Sequence, residues 1–309
     1  MSLDIQMQAF VQKSLDCYPE NSVSASVAEQ RDYYDALCIA FKAPYPAGIT
    51  VTDGFIQGKD GYNVPIRRYQ VDQKPSKVQI VFAHGGGFVV GSLDSHDDIC
   101  AEFAKNSGSD LIAIDYRLAP EFHYPDDIND CLAVVDYLLA DNHQIVLVGD
   151  SAGGTLCACV ANARSQFSGS QLLGQVLIYP ALAHNMETPS MNEHANAPLL
   201  SKDDMVFYKN IRLGDKPEPN NDSLYSPLQT NDFSQLPPTH LFPAEIDPLC
   251  DDCAIYADAL QAVGVEAVNH LNVGRGLVHC YLRARHLSDK AKACFDEICA
   301  TIRQLANNY

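Results

Sequence analysis

The chain has 309 residues, enough for one large domain with a lid or for two small domains, and 47% of them are hydrophobic. Its 39 acidic and 21 basic residues give a formal charge of −18, which argues against nucleic acid and anionic membranes as partners. No apolar run approaches the roughly 18 residues that span a bilayer, and the first residues, MSLDIQ, lack the basic and apolar regions of a signal peptide. We therefore expect a cytoplasmic protein.

The hydrophobic pattern predicts two N-terminal helices and then a regular alternation of strands and helices. The predicted strands are 49–57, 64–70, 78–83, 111–116, 145–148, 175–179, 239–244 and 266–273. The predicted helices are 5–15, 24–41, 95–107, 126–140, 155–163, 251–263 and 285–306. Such an alternation indicates an α/β fold, in which a mostly parallel eight-stranded sheet is flanked by helices on both faces.

One long stretch interrupts this alternation. Between Pro180 and Pro237 lie more than 50 residues without a good strand, and they contain five further prolines and one helical piece near 202–210. An insertion of this length inside a compact domain is usually a functional lid. We therefore expect four segments, which are N-terminal helices belonging to the cap (1–48), the first part of the core (49–181), a helical cap insertion (182–236) and the second part of the core (237–309).

A candidate nucleophile follows the strand at 145–148. Residues 149–154 read GDSAGG, a G-x-S-x-G pattern between a buried strand and a helix-capable segment. The glycines on either side of Ser151 allow a turn sharp enough to present the hydroxyl at the tip of the strand. The pattern predicts that Ser151 is the nucleophile of an acyl-transfer reaction.

A second glycine-rich motif, HGGG at 84–87, follows the strand at 78–83. Acyl transfer through serine develops negative charge on the former carbonyl oxygen, and backbone N–H groups stabilise that charge. The predicted donors of this oxyanion hole are the amides of Gly85 and Gly86, together with that of Ala152, the residue after the nucleophile. His84 precedes the serine in the chain, and we interpret it as a residue that braces the loop.

The catalytic histidine is selected by chain order, because in α/β-hydrolases the nucleophile is followed by the acid and then by the histidine. His270 is expected within the last strand and His286 within the final helix, whereas His279 lies in the loop between them. Only a loop at the carboxyl end of a strand reaches over the sheet to Ser151. His279 is therefore the predicted base.

The predicted acid is Asp247, which we place at the end of the strand at 239–244, where Pro248 ends the ladder. Glu245, Asp251 and Asp252 are alternatives. The last two are better explained as charges at a helix N-terminus, and Glu245 is expected still to lie in the strand.

The eleven cysteines have no repeated spacing, and several fall inside predicted helices. This distribution is typical of free thiols packed as small apolar groups in a reducing cytoplasm. Cys250 and Cys253 have C-x-x-C spacing, but no second pair matches it, so a zinc site is not expected. No metal or organic cofactor is implied.

The motifs together resemble the hormone-sensitive-lipase family of α/β-hydrolases, with the bacterial acetyl-esterase and carboxylesterase branch as the nearest match. The resemblance rests on HGGGF at 84–88, DYRLAPE at 115–121, GDSAGG at 149–154 and DPL at 247–249, and it extends from about residue 50 to the end. It implies the same triad, Ser151, Asp247 and His279. The chain departs from the family where the histidine is usually followed by a small residue and phenylalanine, because Cys280 and Tyr281 stand there.

The leading hypothesis is a serine esterase that hydrolyses short-chain acyl esters through an acyl-enzyme, with a small-molecule ester as its partner. The same machinery would serve amide cleavage, as in a small peptidase or formamidase. A ligand-binding receptor of this fold is disfavoured, because the gibberellin receptors that resemble the family lack the histidine. The sequence leaves a homodimer open, and it leaves open whether the Cys280 thiol faces the pocket.

Overall fold

The computed structural model describes residues 3–19, 25–72, 77–183 and 186–307. The eight strands are β1 Ile49–Gln57, β2 Asn63–Val71, β3 Val78–Ala83, β4 Asp110–Ile114, β5 Gln144–Asp150, β6 Leu172–Ile178, β7 Thr239–Phe242 and β8 Ala267–Asn269. They form one sheet in the order β1-β2-β4-β3-β5-β6-β7-β8. β2 pairs antiparallel with β1 and with β4, and all the other pairs are parallel. The expected eight-stranded, mostly parallel sheet is confirmed.

Helices cover both faces of this sheet. They are α1 Ile5–Leu15, α2 Val27–Ala40, α3 Asp97–Ser107, α4 Asp126–Ala140, α5 Ala152–Ala163, α6 Pro189–Glu193, α7 Lys202–Leu213, α8 Cys250–Ala262, α9 Leu271–Gly274 and α10 Asp289–Asn307. A helix was predicted to begin at Ser24, which lies outside the described residues. The described helix begins at Val27, because Ser26 caps it and forms a reciprocal capping box with Glu29.

The central strand β5 shows why the sheet needs cover on both sides. Ile145 and Leu147 point to one face and join the core formed with α4, α5 and α8, whereas Val146 and Val148 point to the other and join the core formed with α3 and α10. Alternate residues of a strand face opposite ways. A continuous aliphatic run therefore fills two cores, as expected for a parallel sheet.

The last predicted strand and the last predicted helix were both drawn too long. β8 ends at Asn269, and the chain turns there into the short helix α9. α10 begins only at Asp289, so His286 precedes it. In the turn before α10, Arg285 is buried in ion pairs with Asp98 and Glu102 and holds this turn against α3.

The segment between β6 and β7 carries α6 and α7, and it lies above the carboxyl end of the sheet, where its side chains wall a cavity at Ser151. α2 packs beside it. Arg31 of α2 donates to the carbonyl oxygens of Val89 and Ala119 and pairs with Glu121. Thus α2 and the segment between β6 and β7, which are far apart in sequence, meet over the same edge of the sheet.

Candidate active site

Ser151 lies on the sharp turn between β5 and α5. Its φ of 52° and ψ of −122° are strained for a residue with a side chain, and its amide donates to the Ile178 carbonyl oxygen at 2.8 Å. The turn is tight because Gly153 packs against β3, where an added Cβ would lie 2.0 Å from the Ala83 oxygen. The motif glycine is thus required by close backbone approach, and Ser151 projects from the carboxyl end of β5.

The structure brings Ser151, His279 and Asp247 into one hydrogen-bonded chain. His279 Nε2 lies 2.9 Å from Ser151 Oγ, and His279 Nδ1 lies 2.6 Å from Asp247 Oδ2. A carboxylate only accepts, so Nδ1 carries the proton and Nε2 accepts from the serine hydroxyl. Asp247 is fully buried, and its other oxygen accepts from the Leu249 amide at 2.9 Å. Each member of the chain is therefore held in the orientation that general-base activation requires.

Asp247 lies on a loop rather than at the end of β7 as predicted, because β7 stops at Phe242. An isolated parallel bridge between Ile246 and Val278 brings the two loops together. This bridge places the residues that follow, Asp247 and His279, side by side. The tertiary contact, and not the strand end, positions the acid.

The other candidate histidines have different partners. His270 Nε2 lies 3.0 Å from His240 Nδ1, and its ring stacks on Phe242 at 4.1 Å. His286 lies 2.8 Å from the Glu102 carboxylate, on the surface. Neither contacts Ser151.

The other candidate acids are also engaged elsewhere. Glu245 accepts from the Gly276 amide, and Asp251 accepts from the Ser190 amide. Asp252 accepts from the amides of Leu182 and Ala183, and burial raises its pKa to about 6. Asp251 and Asp252 lie in the first turn of α8, as predicted, but they also tether the segment that follows β6.

The amide predicted as one oxyanion donor is used elsewhere. The Gly85 N–H donates to Asp150 Oδ1 at 2.8 Å, so it is not free for a substrate oxygen. The amides of Gly86, Gly87 and Ala152 donate to no residue that the structure describes. Gly87 and Ala152 line the cavity beside Ser151. The prediction of Gly85 as a donor is therefore wrong in this structure, because a buried carboxylate takes its hydrogen.

That carboxylate, Asp150, was not singled out from the sequence. It is buried, and its second oxygen lies 3.3 Å from the Tyr179 hydroxyl and 3.4 Å from His96 Nε2. Burial opposes its ionisation, but His96, the nearby Arg283 guanidinium and the Gly85 amide outweigh this and lower its pKa to about 2. The sequence offered one signal for this carboxylate. Asp150 is a charged residue at the second position of G-x-S-x-G, at the end of an otherwise apolar strand.

His84 braces the loop. Its Nδ1 donates to the Gly85 carbonyl oxygen at 2.8 Å, and its ring stacks on Tyr116 at 4.4 Å, whose hydroxyl donates to the His84 carbonyl oxygen. Burial lowers the pKa of His84 to about 4, so the ring is neutral at neutral pH. The structure places it away from the Ser151 hydroxyl, in the same loop as the glycines.

The cavity at Ser151 has a volume of about 110 Å³. Much of its wall is apolar and comes from the segment between β6 and β7, including Met191, Leu200, Met205 and Tyr208. One part is charged, because Arg212 of α7 reaches the wall, pairs with Asp127 at 2.7 Å and stacks on Phe88. Sequence reasoning missed Arg212, since no motif surrounds it.

The cysteines next to the candidate residues are protonated thiols. Cys280 does not line the Ser151 cavity, and burial raises its pKa to about 12. Burial also raises the pKa of Cys250 to about 12. All eleven cysteines lie within the described residues and are free. No group of three metal-ligating side chains occurs in that part of the chain.

Comparison with known proteins agrees with this geometry. A family model of the alpha/beta hydrolase fold matches residues 80–283. The chain is 30% identical to an ethyl acetate hydrolase of Pseudomonas putida, over 94% of this chain and 95% of that protein. It is 34% identical to the carboxylesterase NlhH of Mycobacterium tuberculosis, over 73% of each.

A solved structure shows the same architecture. The hyperthermophilic esterase from the archaeon Pyrobaculum calidifontis superposes with a TM-score of 0.87 at 28% identity, over 99% of both chains. By sequence and by fold, the chain belongs to the α/β-hydrolase family, and within it to the hormone-sensitive-lipase-like esterases.

Proposed function

We propose that this protein is a carboxylic-ester hydrolase in which Ser151, His279 and Asp247 form the catalytic triad. The observation that carries the proposal is the hydrogen-bonded chain of 2.9 Å and 2.6 Å that joins the three side chains beside a cavity. The relatives named as ester hydrolases support it. In this reaction His279 takes the proton of Ser151 as its oxygen attacks the ester carbonyl, and Asp247 stabilises the imidazolium that forms.

The tetrahedral intermediate carries an oxyanion, and we assign its donors to the amides of Gly86, Gly87 and Ala152. These amides have no partner among the described residues, and Ala152 begins α5, where the helix dipole also favours negative charge. His279 then returns the proton to the leaving alcohol. A water molecule, deprotonated by the same histidine, releases the acid from the acyl-enzyme.

The preferred acyl group is expected to be short, about two to six carbons, because each buried methylene contributes about 0.8 kcal/mol only while the cavity has room for it. The volume of about 110 Å³ and the wall supplied by α6 and α7 support a closed end. We assign residues 182–236 and the N-terminal helices to a cap over the core. Comparing kcat/KM on acetyl, butyryl, octanoyl and palmitoyl p-nitrophenyl esters measures the length. An optimum at palmitoyl would show that the cap opens onto lipid.

The triad is tested with Ser151→Ala, which should lower kcat on p-nitrophenyl butyrate by on the order of 10³-fold or more without loss of folding. Ser226→Ala is the matched control, because Ser226 lines the same cavity. His279→Ala should match Ser151→Ala, whereas His270→Ala and His286→Ala should stay active. Substantial activity in the Ser151→Ala variant would remove Ser151 from this role.

We infer a cytoplasmic location from the eleven free thiols, which suit a reducing compartment. Among the described helices, none has both the length and the apolar composition needed to span a bilayer. A homodimer remains a prediction, to be tested by measuring the mass of the protein in solution.

A further inference from the structure

Arg212 of α7 brings a guanidinium into the wall of the Ser151 cavity. The residue is only 4% exposed, and its Nε donates to Asp127 Oδ2 at 2.7 Å. Its Nη1 and Nη2 atoms donate to no residue that the structure describes, and Nη2 is fully buried. Buried N–H groups are almost always hydrogen-bonded in folded proteins, so these donors indicate an acceptor that the protein itself does not supply.

The positive charge of Arg212 is already balanced, and only its hydrogen-bonding capacity is unused. Asp127 pairs with it inside the protein, where the side chain of each residue is 4% exposed. The guanidinium also stacks on the Phe88 ring, 3.6 Å from the ring centre. The ion pair and the stacking together hold the guanidinium in place. An acceptor that meets the Nη atoms therefore need not carry a negative charge.

The other charges of the cavity wall favour a neutral acceptor. Lys209 and Glu218 line the cavity as an ion pair, with 3.0 Å between Nζ and Oε2. Asp252 lines it as well, and its carboxyl group, whose pKa is about 6, is mostly ionised at pH 8. Its Oδ2 accepts two amides, whereas Oδ1 is buried and has no hydrogen-bond partner among the described residues. An anionic substrate group would share the cavity with this carboxylate and be repelled by it.

The remainder of the wall is largely apolar and includes Met191, Leu200 and Met205. In a pocket of this kind a small number of polar groups decides which ligand is preferred. A plain hydrocarbon acyl chain would leave the Nη atoms of Arg212 without an acceptor. An acyl chain of the same length that carries an oxygen would supply one, and sites built to hydrogen-bond a substrate group discriminate strongly against the analogue that lacks it.

We propose that Arg212 determines the acyl specificity, and that the preferred substrates are short esters whose acyl group carries a neutral ketone or hydroxyl oxygen that accepts a hydrogen bond from Nη1 or Nη2. This inference rests on the proposed ester hydrolysis at Ser151 and names the substrate class of that site. Asp252 disfavours acyl groups that end in a carboxylate. The reaction at the ester carbonyl is unchanged, since the additional oxygen only accepts a hydrogen bond.

The test compares ethyl esters of equal chain length with and without the additional oxygen. Ethyl 4-oxopentanoate is compared with ethyl pentanoate, and ethyl 5-oxohexanoate with ethyl hexanoate, by titrating the released acid at pH 8. Each kcat/KM is divided by the rate constant for hydroxide-catalysed hydrolysis of the same ester, which removes differences in intrinsic reactivity. At least one oxo ester should be preferred at least about fivefold over its alkyl partner. Monoethyl succinate, in which a carboxylate replaces the acetyl group of the 4-oxo ester, should be at least about tenfold poorer than that ester.

Arg212→Lys tests the assigned atoms with little disturbance of the fold, because lysine keeps a cation beside Asp127 and lacks the Nη groups. The preference for the oxo ester should fall at least about threefold, mainly through a higher KM for that ester, since a binding contact is lost. A purely structural role of Arg212 would lower the rates of both esters alike and leave the preference unchanged. The matched control is Arg164→Lys, because Arg164 pairs with Asp136 of the same helix α4 and does not line the cavity. It should keep the preference.

A second pair of variants protects the test against a folding defect. Asp127→Asn combined with Arg212→Met leaves no buried charge unpaired and should lose the preference, whereas Asp127→Asn alone keeps the guanidinium and should retain it.

The outcomes separate this inference from the proposed function. If the unchanged protein hydrolyses none of these esters, the proposed function is wrong and this inference falls with it. If it hydrolyses them without preferring either oxo ester, or accepts monoethyl succinate as readily as ethyl 4-oxopentanoate, only this inference is wrong. The same conclusion follows if the preference persists in Arg212→Lys or in the double variant.

Discussion

The Asp150 carboxylate connects the two glycine-containing motifs at the level of single atoms. It is the last residue of β5, precedes Ser151, and accepts the Gly85 amide hydrogen at 2.8 Å. In Asp150→Ala the HGGG loop loses this anchor, so we expect kcat to fall at least about tenfold with KM nearly unchanged, because the proposed oxyanion donors would act in the transition state. Asp150→Asn keeps an accepting oxygen and should restore most of the activity. Steady-state kinetics of both variants measures this, and an equal loss of kcat in both would show that the charge, and not the hydrogen bond, matters.

Gly87 has a steric role that the HGGG motif alone does not reveal. Its φ is +60°, and an added Cβ would lie 2.4 Å from the Tyr208 ring of α7. Gly87→Ala should therefore displace α7 or the loop and lower kcat/KM by an order of magnitude or more. Combining it with Tyr208→Ala, which removes the ring, should recover part of the loss. Without such recovery, backbone strain at φ +60° would be the dominant cause.

At the scale of elements, α7 is joined to the core helix α4 by a buried ion pair between Arg212 and Asp127. Asp127→Ala leaves the guanidinium buried without its partner, so we expect a loss of about 3 kcal/mol in the free energy of unfolding. Asp136 of the same helix pairs with Arg164 in a more exposed setting, and Asp136→Ala should cost less than about 1 kcal/mol.

Urea unfolding is measured for Asp127→Ala, for Asp136→Ala and for the double variant Asp127→Ala with Arg212→Met. The comparison distinguishes the loss of the ion pair from the cost of leaving a buried charge unpaired. The double variant should be more stable than Asp127→Ala alone, because no buried charge is left unpaired. If the double variant is less stable than the single one, the stacking of the Arg212 guanidinium on Phe88 contributes more than its unpaired charge costs.

For the whole molecule, histidines whose pKa is lowered by partial burial make stability depend on pH. Burial, with a smaller contribution from His240, lowers the pKa of His270 to about 4, below the value of about 6.5 in an unfolded chain. The unfolded state binds the proton first, so this contribution to stability is present above pH 6.5 and is lost as the pH falls towards 4. The urea midpoint should therefore drop less between pH 7 and pH 4.5 in His270→Gln than in the unchanged protein. In the control His143→Gln, the urea midpoint should drop as much as in the unchanged protein. An equally large drop in His270→Gln would show that the pKa shift of His270 is absent.

The sequence by itself determined the α/β class, most strand positions and the three side chains that the structure joins by hydrogen bonds, Ser151, Asp247 and His279, because strand periodicity, the G-x-S-x-G turn and chain order can all be read directly from the sequence. It did not determine the end of β8, where the chain turns into α9, or the start of α10, where the ion pairs of Arg285 with α3 hold the preceding turn. Only the tertiary structure decided three features. The Gly85 amide donates to Asp150, Asp247 lies on a loop, and Arg212 lines the cavity. Each depends on a partner tens of residues away, and a single sequence carries no measure of which distant groups a buried charge or amide will meet.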